Sequence, residues 1–280
     1  MKKWYAVIGD PIGQSMSPAM HDSWFSENGI DASYVPIRVK EEELGQAVES
    51  LKRLGCSGWN VTVPHKSAII PFLDRIDPYA EMMNAVNTVE VRPDGTLVGS
   101  NTDGEGFVRS LEEAYANQVD NKKIVVIGAG GAARGIGYAL HAAGYGPIVF
   151  TNRTLEKAQK LSDELPNSSV RSIAETEDSL AEFGLVVQTT SVGMSFATEG
   201  MPLNPKNLVE GTIVADIIYN PLETEFLAEA RKRKGRIING TGMFVHQGAL
   251  AFQKWTSVRP NTEKMIEKIT VNLGGSYVNR

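Results

Sequence analysis

The stretch that decides the fold is Ile124-Val125-Val126-Ile127-Gly128-Ala129-Gly130-Gly131-Ala132-Ala133, in which an apolar run leads into a glycine-rich turn. Apolar residues then continue at helical spacing: Ile136, Ala139, Leu140 and Ala143. In such a strand-turn-helix unit, the first glycine permits the tight turn and the second lets an anion approach the backbone. The free N–H groups of the helix start then face a phosphate. We therefore predict a dinucleotide-binding turn, and the alternative is a glycine turn that serves packing alone.

The chain on the C-terminal side of this turn alternates strands with helices. Apolar strand cores are predicted at residues 124–127, 148–151, 185–188 and 213–217, with weaker ones near Val170 and Ile237. These runs lack in-out alternation, which is typical of parallel strands covered on both faces. We predict a Rossmann domain over residues 121–239.

The N-terminal part has a strand and helix pattern of its own. Strand-like runs at residues 4–9, 34–39, 58–63, 85–91 and 96–99 alternate with helical spacing, and residues 92–95 (Arg-Pro-Asp-Gly) have the composition of a hairpin turn. The predicted fold class is α/β, with an N-terminal α/β domain at residues 1–103 and a connecting helix at 104–120. Residues 240–280 are predicted to form helices that return to the first domain.

Composition narrows the possible chemistry. The 280 residues carry a formal charge of -5 with no basic stripe, which argues against a nucleic-acid partner. No apolar run reaches about 18 residues, so we expect a soluble, cytoplasmic protein with no membrane association. The single cysteine, Cys56, excludes an internal disulfide, and the four histidines are too scattered to predict a metal site. Chemistry must therefore come from side chains and an organic cofactor.

The end of the second predicted Rossmann strand indicates which dinucleotide binds. An NAD site usually has an acidic residue there, whereas this chain has Asn152-Arg153-Thr154. Arg153 can make a charge-assisted contact with a 2′-phosphate, and its neighbours add neutral hydrogen bonds. This predicts NADP. The alternatives are that Thr154 caps the helix starting at Leu155 and that Arg153 is a solvated surface charge.

Short polar clusters follow the strands of the N-terminal part: residues 13–18, 60–66, 84–88 and 101–104. Each has a structural alternative, such as a helix cap by Ser17 before Pro18, a solvated helix-start lysine at Lys66, a turn, or a helix cap near Asp103. Together they describe a pocket rich in hydroxyl and amide groups, with one lysine and one aspartate for proton transfer. Such a pocket suits a small polyhydroxylated substrate.

Eight motifs, taken in order over nearly the whole chain, resemble those of the shikimate dehydrogenase family. They lie at residues 13–18, 60–66, 84–88, 101–104, 128–134, 152–154, 216–221 and 240–247. The resemblance implies reduction of 3-dehydroshikimate to shikimate by NADPH, a step towards chorismate and the aromatic amino acids. It also implies that the first domain binds the substrate, and it suggests a monomer or homodimer.

The resemblance implies a role for each matching residue. Ser15, Ser17 and Tyr219 would hold the substrate carboxylate; Thr62, Asn87 and Gln247 would bind ring hydroxyls; Lys66 and Asp103 would flank the reacting oxygen. The cofactor contacts implied are Gly128, Ala129, Gly130, Gly131, Ala132, Asn152, Arg153, Thr154 and Lys157, with Ile217, Gly240 and Met243 near the nicotinamide. Pro78 stands where some relatives have an acidic cofactor contact, so that contact is not expected.

Lys66 and Asp103 make better sense as an acid than as a base. A neighbouring carboxylate stabilises the ammonium form, which can polarise a ketone and donate a proton to the developing alkoxide. Two rival functions are a quinate/shikimate dehydrogenase that uses NAD and a non-catalytic dinucleotide-sensing module. Arg153 argues against the first, and the lysine-aspartate pair argues against the second. A methyltransferase would leave Arg153 without a role. A methylenetetrahydrofolate-type dehydrogenase would leave Ser15, Ser17 and Tyr219 without one.

Overall fold

A computed structural model describes residues 2–115, 122–195 and 198–274, and backbone packing divides the chain into two compact units. The first unit contains residues up to Thr102 together with Gln247–Thr262. The second contains Asp103–His246 together with the described residues from Glu263 onwards. Each unit has its own six-stranded sheet, so the predicted α/β fold class is confirmed.

The sheet of the first unit is mixed. Its strands are β1 (Lys3–Gly9), β2 (Ala32–Arg38), β3 (Gly58–Val61), β4 (Arg75–Ile76), β5 (Thr88–Val91) and β6 (Leu97–Ser100), in the order β2-β1-β3-β5-β6-β4. β1 is parallel to β2 and β3, whereas β5 is antiparallel to β3 and β6. The predicted hairpin turn joins β5 to β6: the Arg92 N–H donates to the Thr96 carbonyl at 2.9 Å, and Gly95 has a φ of +83°. The two-residue β4 had not been predicted.

Helices cover this sheet through apolar and aromatic side chains. They are α1 (Ser17–Glu27), α2 (Leu44–Arg53), α3 (Pro78–Met83) and the C-terminal part of α9 (Thr241–Thr256). Leu44, Val48 and Leu51 are the buried residues of α2, one helical turn apart, and they join the core that contains Trp59. The indole of Trp255 on α9 donates to the Val89 carbonyl at 3.0 Å, which ties this helix to β5.

The sheet of the second unit is parallel throughout. Its strands are β7 (Lys123–Ile127), β8 (Ile148–Thr151), β9 (Ser168–Val170), β10 (Phe183–Gln188), β11 (Ile213–Asp216) and β12 (Arg236–Ile238), in the order β12-β11-β10-β7-β8-β9. This is the doubly wound order of dinucleotide-binding domains, and it places the carboxyl ends of all six strands along one edge. The predicted Rossmann strands are therefore confirmed.

The helices of the second unit are α4 (Asp103–Tyr115), α5 (Gly131–Ala142), α6 (Leu155–Glu164), α7 (Ile173–Asp178), α8 (Glu225–Lys232), the first turns of α9, and α10 (Thr262–Asn272). The predicted connecting helix begins as α4, and its residues 116–120 lie outside the described residues. The domain boundaries assigned by role, at residues 103, 120 and 239, stay a prediction. None of the helices within the described ranges is long and apolar enough to span a bilayer.

Candidate active site

Gly128 directly follows β7 and has a conformation that favours glycine. Its φ is +118°, and a Cβ there would lie 2.5 Å from Oγ1 of Thr189. The backbone is fixed on both sides, because the Gly128 N–H donates to the Thr151 carbonyl at 2.8 Å and the Thr189 N–H donates to the Ile127 carbonyl at 3.0 Å. Packing against the neighbouring strands therefore explains the first glycine of the turn.

Packing does not explain the second and third glycines. Gly130 has a φ of −93°, which any residue can adopt, and a Cβ at Gly130 or Gly131 would meet no described atom within 4 Å. Gly130 is also the N-cap of α5, and its position provides no side-chain cap for the helix. Open space beside uncapped N–H groups is what a bound pyrophosphate requires. The turn therefore fits a dinucleotide and does not fit the packing-only alternative.

The end of β8 presents the residues predicted to bind the 2′-phosphate. Asn152 Nδ2 donates to the Thr154 carbonyl at 2.8 Å, which shapes the turn. Thr154 occupies the N-cap position of α6, yet its side chain accepts no capping hydrogen bond. Arg153, Thr154 and Lys157 are exposed, and no carboxylate of the described residues pairs with the Arg153 guanidinium. These side chains are available to an anionic group.

The residues predicted near the nicotinamide follow the last two strands. Gly240, after β12, touches the chain that leaves β11: its N–H donates to the Ile218 carbonyl at 2.8 Å, and a Cβ there would lie 2.0 Å from the Ile217 carbonyl oxygen. Met243 is half-buried in the first turn of α9. The Tyr219 ring packs against Phe244 with the ring centroids 4.9 Å apart, and burial raises the pKa of its hydroxyl.

In the first unit, Ser15 and Ser17 lie next to each other after β1. The Ser17 N–H donates to Oγ of Ser15 at 3.3 Å, and Met16 is the N-cap of α1. The structural alternative of a cap by Ser17 is therefore wrong. Met16 already has helical φ and ψ, so the helix includes Ser17, and Ser15 supplies the acceptor. Both hydroxyls stay at the start of α1, where a carboxylate is favoured by the helix dipole.

Asn87 and Gln247 are brought together through Thr102. Asn87 Nδ2 donates to Oγ1 of Thr102 at 2.9 Å, and Oγ1 of Thr102 donates to the Gln247 carbonyl at 3.0 Å. The Thr102 N–H donates to Oδ1 of Asn87 at 2.9 Å. Asn87 and Thr102 are 2% and 1% exposed, so these bonds fix the amide orientation at a buried point. Two predicted substrate residues thus share one network.

Lys66 is anchored by its backbone and by the residue before it. The Val86 N–H donates to the Lys66 carbonyl at 2.8 Å, and Nε2 of the buried His65 lies 2.7 Å from the Val39 carbonyl, to which only an N–H can bond. Thr62 is half-buried at the end of β3, and its N–H donates to the Ile8 carbonyl at 3.0 Å. Asp103 is the first residue of α4 in the other unit.

Three family models match successive parts of the chain. The model described as "Shikimate dehydrogenase substrate binding domain" matches residues 7–89, "Shikimate / quinate 5-dehydrogenase" matches residues 110–218, and "Shikimate 5'-dehydrogenase C-terminal domain" matches residues 240–270. The chain belongs to the shikimate dehydrogenase family.

Individual members of this family are similar over nearly their whole length. The shikimate dehydrogenase (NADP(+)) of Lysinibacillus sphaericus is 51% identical over 276 residues, covering 99% of this chain and 100% of the relative. A crystal structure of shikimate 5-dehydrogenase from Thermus thermophilus in complex with NADP(H) and shikimate is 34% identical, with a TM-score of 0.86 over 95% of this chain and 98% of that one. Quinate dehydrogenase from Corynebacterium glutamicum in complex with NAD is 30% identical, with a TM-score of 0.89 over 97% and 99%.

The predictions of family, of an oxidoreductase and of NADP as the cofactor are thereby confirmed for this shikimate dehydrogenase family member. The roles of its individual residues stay predictions. The structure adds three residues to which the sequence had given no individual role. Asn60 Nδ2 donates to Oγ1 of Thr88 at 3.1 Å, and Oγ1 of Thr88 donates to Oδ1 of Asn87 at 2.8 Å. The Tyr34 hydroxyl donates to Oδ1 of Asn60 at 2.7 Å. Asn60 and Thr88 belong to predicted polar clusters, whereas Tyr34 gave no such signal.

Proposed function

We propose that this chain reduces 3-dehydroshikimate to shikimate with NADPH, a step in the formation of chorismate and the aromatic amino acids. The observation that carries the proposal is the buried network in which the Asn87 amide and the Thr102 hydroxyl are fixed and joined to the main-chain carbonyl of Gln247, because fixed amide and hydroxyl groups suit a ring with several hydroxyls. The relatives named for this reaction support it, since they match nearly the whole chain.

Binding of the substrate carboxylate is assigned to hydroxyl groups. Ser15 and Ser17 lie at the start of α1, where the helix dipole adds to their hydrogen bonds. Tyr219, held against Phe244, is a neutral donor, and burial raises the pKa of its hydroxyl further above its ordinary value. The ring hydroxyls are assigned to Thr62, Asn87 and Gln247. These groups orient the substrate without adding a charge next to the reacting carbon.

Proton transfer at the reacting oxygen is assigned to Lys66 and Asp103. The bound cofactor supplies the hydride. The Lys66 ammonium polarises the ketone and donates a proton to its oxygen as negative charge develops there. The Asp103 carboxylate is assigned to the same oxygen, where it can accept a hydrogen bond from the hydroxyl group of shikimate. In the direction of shikimate oxidation, the same nitrogen accepts the proton.

The cofactor is assigned to the carboxyl ends of the parallel strands. The backbone of residues 128–132 would hold the pyrophosphate; Asn152, Arg153, Thr154 and Lys157 would hold the 2′-phosphate and adenine; Ile217, Gly240 and Met243 would line the nicotinamide. The exposed guanidinium of Arg153, which pairs with no carboxylate of the described residues, favours NADP over NAD because the 2′-phosphate offers it a negative charge.

An absorbance assay at the nicotinamide band tests the proposal. It measures the reduction of cofactor with shikimate and with quinate, each against NADP⁺ and NAD⁺. We expect the highest kcat/KM for shikimate with NADP⁺. Equal or higher values for quinate with NAD⁺ would instead assign the chain the activity of the Corynebacterium relative, and no reduction with any pair would favour the sensing module.

The remaining assignments concern the setting of the enzyme. We propose a cytoplasmic protein, monomeric or homodimeric, whose partner is its small-molecule substrate and which does not bind nucleic acid. The charge of -5 is consistent with the last point. We also propose that residues 1–103 form the substrate domain, that residues 121–239 form the NADP domain, and that the chain after residue 240 returns to the substrate domain, which the packing of Gln247–Thr262 with the first unit supports.

A further inference from the structure

Asp216 is a buried carboxylate to which the proposed mechanism gives no role. It is the last residue of β11 and is 2% exposed. Burial raises its pKa to about 7, while hydrogen bonds from Ile218 and Thr224 act in the opposite direction. An apolar side chain would fill such a position without a desolvation cost, so the reason for a carboxylate lies in the bonds that it makes.

Both carboxylate oxygens bind the segment that follows β11, residues 217–224. Oδ1 accepts a hydrogen bond from the Ile218 N–H at 3.0 Å, at the start of the segment. Oδ2 accepts a hydrogen bond from Oγ1 of Thr224 at 2.8 Å, at its end. Thr224 is 1% exposed and also caps α8, since its Oγ1 accepts from the Leu227 N–H at 3.3 Å. The Asp216 side chain thus holds both ends of this segment, from the end of β11 to the start of α8.

The segment held in this way carries two residues of the proposed site. Ile217 is assigned to the nicotinamide and Tyr219 to the substrate carboxylate. Ile217 has little freedom to move, because Gly240 packs directly on its carbonyl. A second attachment holds the middle of the segment, where Asn239 Nδ2 donates to the Leu222 carbonyl at 3.0 Å. The two bonds of Asp216 add the attachments at the two ends of the segment, so their loss would leave the placement of Ile217 and Tyr219 to these contacts alone.

The geometry points to Asp216 as a positioning residue, whose carboxylate holds segment 217–224 so that Ile217 meets the nicotinamide and Tyr219 meets the substrate carboxylate. This inference rests on the proposed function for the roles of those two residues. Asp216 itself is assigned to neither ligand, so its effect must come through the segment. Loss of the Asp216 carboxylate should weaken binding of the nicotinamide and of the substrate. It should not affect binding of the adenine end of the cofactor, which is assigned to residues that follow β7 and β8.

The test compares three variants in the full-length protein: Asp216→Ala, Asp216→Asn and Thr224→Val. Alanine removes both bonds, whereas asparagine keeps an acceptor for the Ile218 N–H and a donor for Oγ1 of Thr224. Thr224→Val removes the hydroxyl partner with little change of shape, and it also removes the cap of α8. The matched control is Thr176→Val, because Thr176 is equally buried in the same unit and its hydroxyl donates to the Ser172 carbonyl, at 2.8 Å.

Three quantities are measured for each variant: the KM for shikimate, the dissociation constant of NADP⁺, and the dissociation constant of 2′,5′-ADP, which reports the adenine end alone. We expect Asp216→Ala and Thr224→Val to raise the KM about tenfold or more and to weaken NADP⁺, with 2′,5′-ADP changed less than about twofold. Asp216→Asn should stay within about threefold of the wild type, and Thr176→Val should leave all three quantities unchanged.

Two results would overturn the positioning role. One is a KM for shikimate that is the same in Asp216→Ala and Thr224→Val as in the control variant Thr176→Val. The other is a parallel loss of 2′,5′-ADP affinity, which would indicate general damage to the unit. If Asp216→Ala does not fold, the comparison of Thr224→Val with Thr176→Val decides. If the wild type does not oxidise shikimate, the proposed function fails, and the ratio of NADP⁺ to 2′,5′-ADP affinity still tests the nicotinamide end by itself.

Discussion

Gly128 and Thr189 are so close that a Cβ on the glycine would lie 2.5 Å from the threonine hydroxyl oxygen. That hydroxyl donates to the Ile127 carbonyl at 2.7 Å, so it cannot turn away without losing a bond. The glycine turn therefore has two different kinds of glycine. Gly128 serves the close approach of two strand ends, and Gly130 leaves space that no described residue fills.

Replacing Gly128 should damage cofactor binding through the backbone. Gly128→Ala adds a Cβ at a φ of +118° and against Thr189, so we expect the turn to move and the NADP⁺ dissociation constant to rise about tenfold or more. Gly144→Ala is the control, because the φ of Gly144 is +84° but a Cβ there would meet no atom of the described residues within 4 Å. Titration calorimetry measures the NADP⁺ affinity of both variants. Equal affinities would contradict the conclusion that a Cβ at Gly128 displaces the cofactor-binding turn.

Replacing Gly130 should reduce affinity without reducing stability. Gly130→Ala has neither a strained φ nor a clash, so the free energy of unfolding should stay within about 1 kcal/mol of the wild type. Its methyl group would occupy the space assigned to the pyrophosphate, so NADP⁺ should bind about tenfold more weakly. Urea unfolding and calorimetry measure the two effects. A destabilised variant with normal affinity would restore the packing explanation of the turn.

Arg153 should determine the choice of dinucleotide. Arg153→Asp places a carboxylate where NAD sites usually have one and where a 2′-phosphate would be repelled, so the ratio of kcat/KM for NADP⁺ to that for NAD⁺ should fall by about a hundredfold. Arg259→Asp makes the same charge change at an exposed position in the first unit and should leave the ratio unchanged. A constant ratio in Arg153→Asp would remove this residue from the cofactor site.

The four central strands of the second unit, β7, β8, β10 and β11, could be predicted from the sequence because their residues are apolar on both faces. The predicted cores at residues 124–127 and 148–151 coincide with β7 and β8. The same reasoning could not find β4, which is two residues long and has one exposed residue. Its partner strand, β6, lies more than 20 residues further along the chain, so no local sequence pattern predicts β4.

The polar residues of the site could be predicted where they follow strand ends, but the residues that orient them could not. Thr88 lies beside Asn60 only because β5 pairs antiparallel with β3, and it lies beside Ser100 only because β5 also pairs with β6. Such a register forms between distant parts of the chain. The two hydrogen bonds of Asp216 likewise depend on where the segment after β11 returns, so its motif gave no sign of its role.

Lys66 should control turnover more than substrate affinity. Lys66→Ala removes the assigned proton donor, and we expect kcat to fall by about a hundredfold or more, the usual range for a positioned acid-base group, with a much smaller change in KM. Lys254→Ala, at the exposed end of α9, controls for the loss of one positive charge. Steady-state kinetics with shikimate and NADP⁺ measure both variants, and near-normal turnover in Lys66→Ala would exclude it as the donor.

His21 gives the first unit a stability that depends on pH. It is fully buried, its ring stacks on Tyr34 at a centroid distance of 4.4 Å, and neither ring nitrogen has a hydrogen-bond partner among the described residues. Burial lowers its pKa from 6.5 to about 3. Because the unfolded chain takes up this proton first, the contribution of His21 to stability is complete above pH 6.5 and is lost progressively as the pH falls towards 3.

His21→Phe should therefore flatten the acid side of the stability curve. Phenylalanine keeps an aromatic ring against Tyr34, loses no hydrogen bond to the described residues and cannot be protonated. Between about pH 7.5 and pH 4.5 the wild type should lose about 2 to 3 kcal/mol more than the variant, which is the free energy of protonating one unfolded histidine about two pH units below its pKa. Urea unfolding at the two pH values measures the difference. Equal losses in the two proteins would mean that the ring of His21 takes up a proton as readily in the folded state as in the unfolded chain. That result would contradict the burial of a ring that has no hydrogen-bond partner among the described residues.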